Sequence, residues 1–246
     1  MFKSKWKLPV IAVLLFLCVF ALFLIPAGNA SADSYFDDDN REHIIVGDHY
    51  CFRSVDVKID VRRDKTFAVE ETLVASILRE NTYSYVIRDI QRISQTTRVV
   101  DGKFVKGKEY IANISDVNVT LDGGAAKVTK SLYDEGQFHA IKMQTPDERF
   151  LTEGDHTYVL SYVYDMGDDK VKGFDDFTFD VLGYNMAFTD KFHAEITFPT
   201  EIDASKVLFR TNDKAGWKPD ERAGESVEIS GNTINITAFP KVEKKG

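Results

Sequence analysis

Three observations predict an all-β chain. Apolar residues alternate with polar ones at period two over several stretches. Turn-forming residues separate those stretches. The body holds no long segment with the 3.6-residue period of a helix. About ten such stretches imply an antiparallel β-sandwich, of the immunoglobulin-like, Greek-key type. Ahead of it stands an N-terminal signal or anchor helix.

The elements follow in chain order. Lys3, Lys5 and Lys7 precede an apolar run from Val10 to Ile25, and Pro26 breaks it. Ala30-Ser31-Ala32 then offers the small residues that a signal peptidase reads. Positive flank, apolar centre and small-residue site together predict export with cleavage after Ala32. The rival is an uncleaved anchor, for which 16 apolar residues are slightly short of the ~20 of a comfortable span. The basic N-terminal flank places the body outside in either case.

Residues 33–50 form an acidic leader containing Asp37, Asp38 and Asp39. The sandwich domain is expected over 51–240. Val55, Val57, Ile59 and Val61 alternate with Asp56, Lys58, Asp60 and Arg62. Arg63-Asp64-Lys65 turns the chain into Phe67, Val69, Leu73, Ala75 and Ile77, which completes a hairpin. Ile114–Leu121 ends at Asp122-Gly123-Gly124, a strong turn signal. Lys127–Tyr133 and Gln137–Met143 read as a pair. Tyr158, Leu160, Tyr162 and Tyr164 line one face of the next strand, and Phe192, Ala194, Ile196 and Phe198 line another, closed by Pro199. Val207–Thr211 and Val227–Ile229 carry weaker patterns, and Gly231-Asn232 turns into Thr233–Ala238. Residues 241–246 are a charged tail.

Charge limits the partners. Residues 1–32 hold three lysines and no acid, so the remainder has 28 basic against 39 acidic residues, a balance of −11. Such a body repels phosphate backbones, which makes nucleic acid an unsuitable partner. Once the N-terminus is removed, Cys51 has no intrachain thiol partner, since the other cysteine is Cys18. An exported chain without disulfides fits a bacterial envelope.

The chain resembles the N-terminal domain of a bacterial and archaeal family of predicted membrane proteins, domain of unknown function family 2207. Four segments carry the resemblance: the opening hairpin Val55–Val61 with Phe67–Thr72; Val86-Ile-Arg-Asp-Ile90, similar to the family's Gly-Ile-Tyr-Arg-Asp-Ile-Pro; Gly154-Asp-His-Thr-Tyr158, similar to its Gly-x-His-Thr-Tyr strand; and Asp176-Phe-Thr-Phe-Asp-Val-Leu-Gly183, similar to its Asp-x-Leu-Tyr-Trp-Asn-x-x-Gly. Tyr85 and Gln91 depart from the family's Gly and Pro around the Arg-Asp pair, and Phe179-Asp180 replaces Trp-Asn. The resemblance implies an extracytoplasmic β domain tied to a membrane, through its N-terminal segment or through the C-terminal helices into which the family normally continues. It implies no activity.

Candidate chemistry is sparse. Arg88 and Asp89 are neighbours on a strand and so face opposite sides. They either mark a binding edge or tie loops by charge-assisted hydrogen bonds, and the structural role is preferred. Asp176, Phe179 and Asp180 are the other candidate binding residues. Asp165, Asp168, Asp169 and Asp175 complete a carboxylate cluster. A solvated loop is its default reading; Ca²⁺ is the cation its oxygens would suit. Paired carboxylates for glycan hydrolysis are a further alternative. The histidines fit no zinc spacing, and no nucleophile or phosphate-loop motif is present in the sequence. His156 reads as a packing or hydrogen-bonding residue. The Tyr158–Tyr164 stripe, with Phe174, Phe177, Phe179 and Tyr184, reads as sandwich core before it reads as a binding platform.

The sequence therefore supports a non-catalytic envelope module that requires no cofactor and binds an unknown protein or cell-wall ligand. A Ca²⁺-dependent adhesion or carbohydrate-binding module using the 165–180 acidic loop, and a glycan hydrolase, are the alternatives.

Overall fold

A computed structural model of the chain describes residues 33–36, 42–45, 50–64, 66–80, 83–100, 103–133, 135–167, 189–204, 207, 210–211, 214–215 and 224–238. The predicted signal segment, Asp37–Asp39 and the charged tail lie outside them. The described residues are mostly β, and no α-helix is found among them.

Two short strands, β1 (Asp33–Phe36) and β2 (Glu42–Ile45), pair with each other in the leader, where no periodicity announced them. β3 (Tyr50–Val61) and β4 (Thr66–Ile77) form the expected hairpin. β5 (Tyr85–Gln91) follows, then β6 (Ile93–Val100) and β7 (Lys103–Ile111), which pair with each other in a separate two-stranded sheet. β8 (Asn113–Leu121) turns into β9 (Gly124–Ala125). β10 (Lys127–Tyr133) pairs along its whole length with β11 (Phe138–Gln144), as its sequence predicts. β12 (Gly154–Asp165) and β13 (Thr189–Thr197) carry the Tyr and Phe stripes. β14 (Arg210–Thr211) and β15 (Lys214–Ala215) form a short pair, and β16 (Ser226–Ser230) and β17 (Thr233–Ala238) close the chain.

Eight strands make the main sheet, in the order β16-β17-β13-β3-β4-β12-β8-β9, and three make a second, in the order β10-β11-β5. One apolar core joins them. Val55, Val57, Ile59, Val69, Leu73, Tyr158 and Leu160 supply it from the large sheet; Val86, Ile90, Ile141 and Met143 supply it from the small one.

Two features depart from the predicted pattern. β13 runs parallel to β3, so the main sheet is mixed and not purely antiparallel. β12 and β13 thus point the same way. The second departure is a register shift between Phe52 and Ser54 of β3. It turns the inward parity from Tyr50 and Phe52 to Val55, Val57 and Ile59, all of them buried.

Candidate functional site

The inward positions of β4 read Phe67, Val69, Glu71, Leu73, Ala75, Ile77, and all are buried. The register sets Glu71 between Val57 and Leu160 in the middle of the core face. A carboxylate there requires compensation, because an unpaired buried charge is prohibitively costly. β5 supplies it from the opposing sheet. Arg88 Nε donates to Glu71 Oε2 at 2.5 Å, with both side chains at 0% exposure. Tyr162 Oη donates to Glu71 Oε1 at 2.6 Å, so both carboxylate oxygens are engaged. Arg88 Nη1 donates to the Asp89 carbonyl at 2.7 Å. Burial, with the Glu71 carboxylate next, pushes the Tyr162 phenol well above its ordinary value. The hydroxyl therefore stays protonated and stays a donor.

At the other end of β12 the Gly154-Asp-His-Thr-Tyr segment is also accounted for by packing. Gly154 has φ +118°, a conformation that suits glycine. The Thr152 carbonyl, which can only accept, lies 2.9 Å from His156 Nε2, and Asp122 Oδ2 lies 2.9 Å from Nδ1. Asp122 Oδ1 accepts from the Thr157 amide at 2.8 Å. The same aspartate, at φ +50°, opens the two-residue turn with Gly123 at φ +75°, the pattern of a type I′ hairpin. Tyr158 is fully buried, and its hydroxyl has no hydrogen-bond partner among the described residues. Burial, helped by the Asp122 charge, raises its pKa.

The opposite face of the main sheet meets solvent. It carries a shallow groove of about 470 Å³ whose lining includes Lys58, Asp60, Glu70, Ser161, Glu195 and Thr197. The register places Lys58 between Glu195 on β13 and Glu70 on β4, so opposite charges alternate across the strands. Nearby, His193 Nδ1 lies 3.8 Å from Asp56 Oδ1.

The predicted site residues are thus dispersed. Arg88 is buried in the core, where its side chain reaches Glu71 on the other sheet and the Asp89 carbonyl on its own strand. Asp89 is buried on the same strand. Asp165 is exposed at the end of β12 and accepts the Gly167 amide at 2.8 Å. Asp168, Asp169, Asp175, Asp176, Phe179 and Asp180 lie outside the described residues, as do Phe174, Phe177 and Tyr184. Tyr158, Tyr162 and Tyr164 are core, as the stripe predicted. No group of three or more potential metal ligands is found among the described residues. Sequence reading passed over Glu71; the available signal was its place in an otherwise apolar odd-numbered row.

The family model described as a predicted membrane protein (DUF2207) N-terminal domain matches residues 52–243. No curated protein matches the chain. Among solved structures the chain is similar to yeast LTA4 hydrolase in complex with Bestatin, at 10% identity and a TM-score of 0.42, over 87% of this chain and 28% of that one. It is also similar to an M1 zinc metallopeptidase from Deinococcus radiodurans, at 11% identity and a TM-score of 0.39, over 79% of this chain and 39% of that one. The chain spans less than half the length of either protein, and similarity this low says nothing of its chemistry.

Proposed function

The chain belongs to the DUF2207 family of predicted membrane proteins, whose N-terminal domain it carries, and on that premise we propose that it is a non-catalytic, extracytoplasmic β-sandwich module of a membrane-associated cell-envelope protein. Its role is to bind or organise a protein or cell-wall partner. One observation carries the reading. The buried ionisable cluster of Glu71, Arg88 and Tyr162 is sealed between two sheets, where a substrate cannot reach it. The solvent-facing groove is shallow and lined by charges that alternate in sign, which suits contact with a partner more than bond-breaking. The basic flank and apolar run at the N-terminus support export with the body outside.

The test is protease treatment of intact host cells, with mass spectrometry of the membrane and soluble fractions. The expected result is a chain that is cut by external protease and either starts at Asp33 or retains Met1 in the membrane fraction. A chain with an intact N-terminus in the cytosol, shielded from external protease, refutes the reading.

A further inference from the structure

We propose that Glu71, Arg88 and Tyr162 act as a lock that selects one register of the three-stranded sheet on the eight-stranded sheet. The lock confers uniqueness of packing and adds little net stability over an apolar core of the same volume.

The faces on either side of the lock are apolar. Val57, Val69, Leu73 and Leu160 surround Glu71 on one sheet, and Val86, Ile90, Ile141 and Met143 surround Arg88 on the other. Apolar attraction is non-directional. Sliding one sheet over the other by the length of two residues keeps the same two faces in contact and buries similar area. Such a slip moves Arg88 by about 7 Å relative to Glu71. That distance breaks the 2.5 Å contact and leaves two opposite charges buried apart. The penalty for an uncompensated buried charge falls on every register but one. The guanidinium cannot easily follow the carboxylate, because its Nη1 is also held by the Asp89 carbonyl of its own strand. Tyr162 holds the second carboxylate oxygen, so both oxygens of Glu71 are already engaged.

The experiment uses the full chain in four forms: parent, R88M, R88K and the apolar triple variant E71L/R88M/Y162F. R88M leaves the Glu71 carboxylate without its counter-charge and lowers the melting temperature by about 10 °C. The triple variant recovers to within about 5 °C of the parent. Even so, the amides of 85–91 and 138–144 exchange at least about 10-fold faster in it, and it binds a hydrophobic dye. R88K keeps a cation within reach of Glu71 and holds exchange in 85–91 within about 3-fold of the parent. A triple variant with the parent's exchange rates and no dye binding overturns the lock. So does one that stays as unstable as R88M or fails to fold, since the network would then be a net stabiliser. If R88K accelerates exchange as much as R88M does, the effect belongs to side-chain packing and the lock is again overturned.

Discussion

Two tyrosines four residues apart on the same face of β12 should respond in opposite directions to loss of one oxygen atom. Tyr162 Oη donates to the Glu71 carboxylate at 2.6 Å inside the core. A hydrogen bond to a charged group contributes about 2 kcal/mol, and Tyr162→Phe removes it without changing the shape of the ring. For a chain of this size that is a fall of roughly 4–8 °C in melting temperature. Tyr158 Oη is also buried and has no partner among the described residues. Its burial is a desolvation cost without compensation, so Tyr158→Phe should be neutral or should stabilise by up to about 1–2 kcal/mol. Thermal unfolding followed by far-ultraviolet circular dichroism, with urea titration as a second measure, separates the two. Equal shifts of the same sign would refute the reasoning, as would a loss in Tyr158→Phe as large as that in Tyr162→Phe.

Other expectations follow from the same structure. The phenols of Tyr158 and Tyr162 titrate above their ordinary value of 10.0, so their ionisation leaves stability unchanged below that pH and lowers it as pH rises toward their folded values. Their phenolate absorbance should appear together with unfolding, and absorbance that precedes unfolding would count against their burial. His139 is held below 6.5, by burial first and then by Arg92 and Lys130, against the opposing pull of the Ala112 carbonyl. Its contribution to stability is present above 6.5 and falls away as pH drops through the folded pKa; His139→Gln should flatten that limb of the stability profile. Gly123→Ala meets no atom within 4 Å but is strained at φ +75°, so a loss of about 1 kcal/mol in urea unfolding is expected. Millimolar Ca²⁺ should leave the melting temperature unchanged, and a rise would instead favour ion binding by the 165–180 acidic loop.

The parts of the fold that were legible in the sequence are local. The β3–β4 hairpin follows from alternation across the turn at Asp64, where the carboxylate accepts the Thr66 amide at 3.1 Å. The β8–β9 turn follows from Asp122-Gly123, and the β10–β11 pair from two short periodic runs. The β6–β7 pair was missed although Asp101-Gly102 stands between Val100 and Lys103, which are paired; the charges of 103–109 masked its alternation. The change of parity at Arg53 in β3 was not legible, because one inserted residue leaves no mark on composition.

The candidate site divides in the same way. Arg88 stood out because an Arg-Asp pair inside an apolar run is conspicuous, and its structural role could be preferred. Its partner could not be named. Glu71 is 17 residues away along the chain and Tyr162 is 91 residues from Glu71. By itself the sequence determined which residues alternate, where the chain turns, which end is basic and apolar, and which family the chain resembles, because each of these depends on neighbours within a few residues. Only the tertiary structure decided that β13 lies parallel to β3, that two sheets share one core, and that a carboxylate, a guanidinium and a phenol meet inside it. Those outcomes depend on which strand edge is left open and on which buried charge can find compensation, and both are settled between segments far apart in the chain.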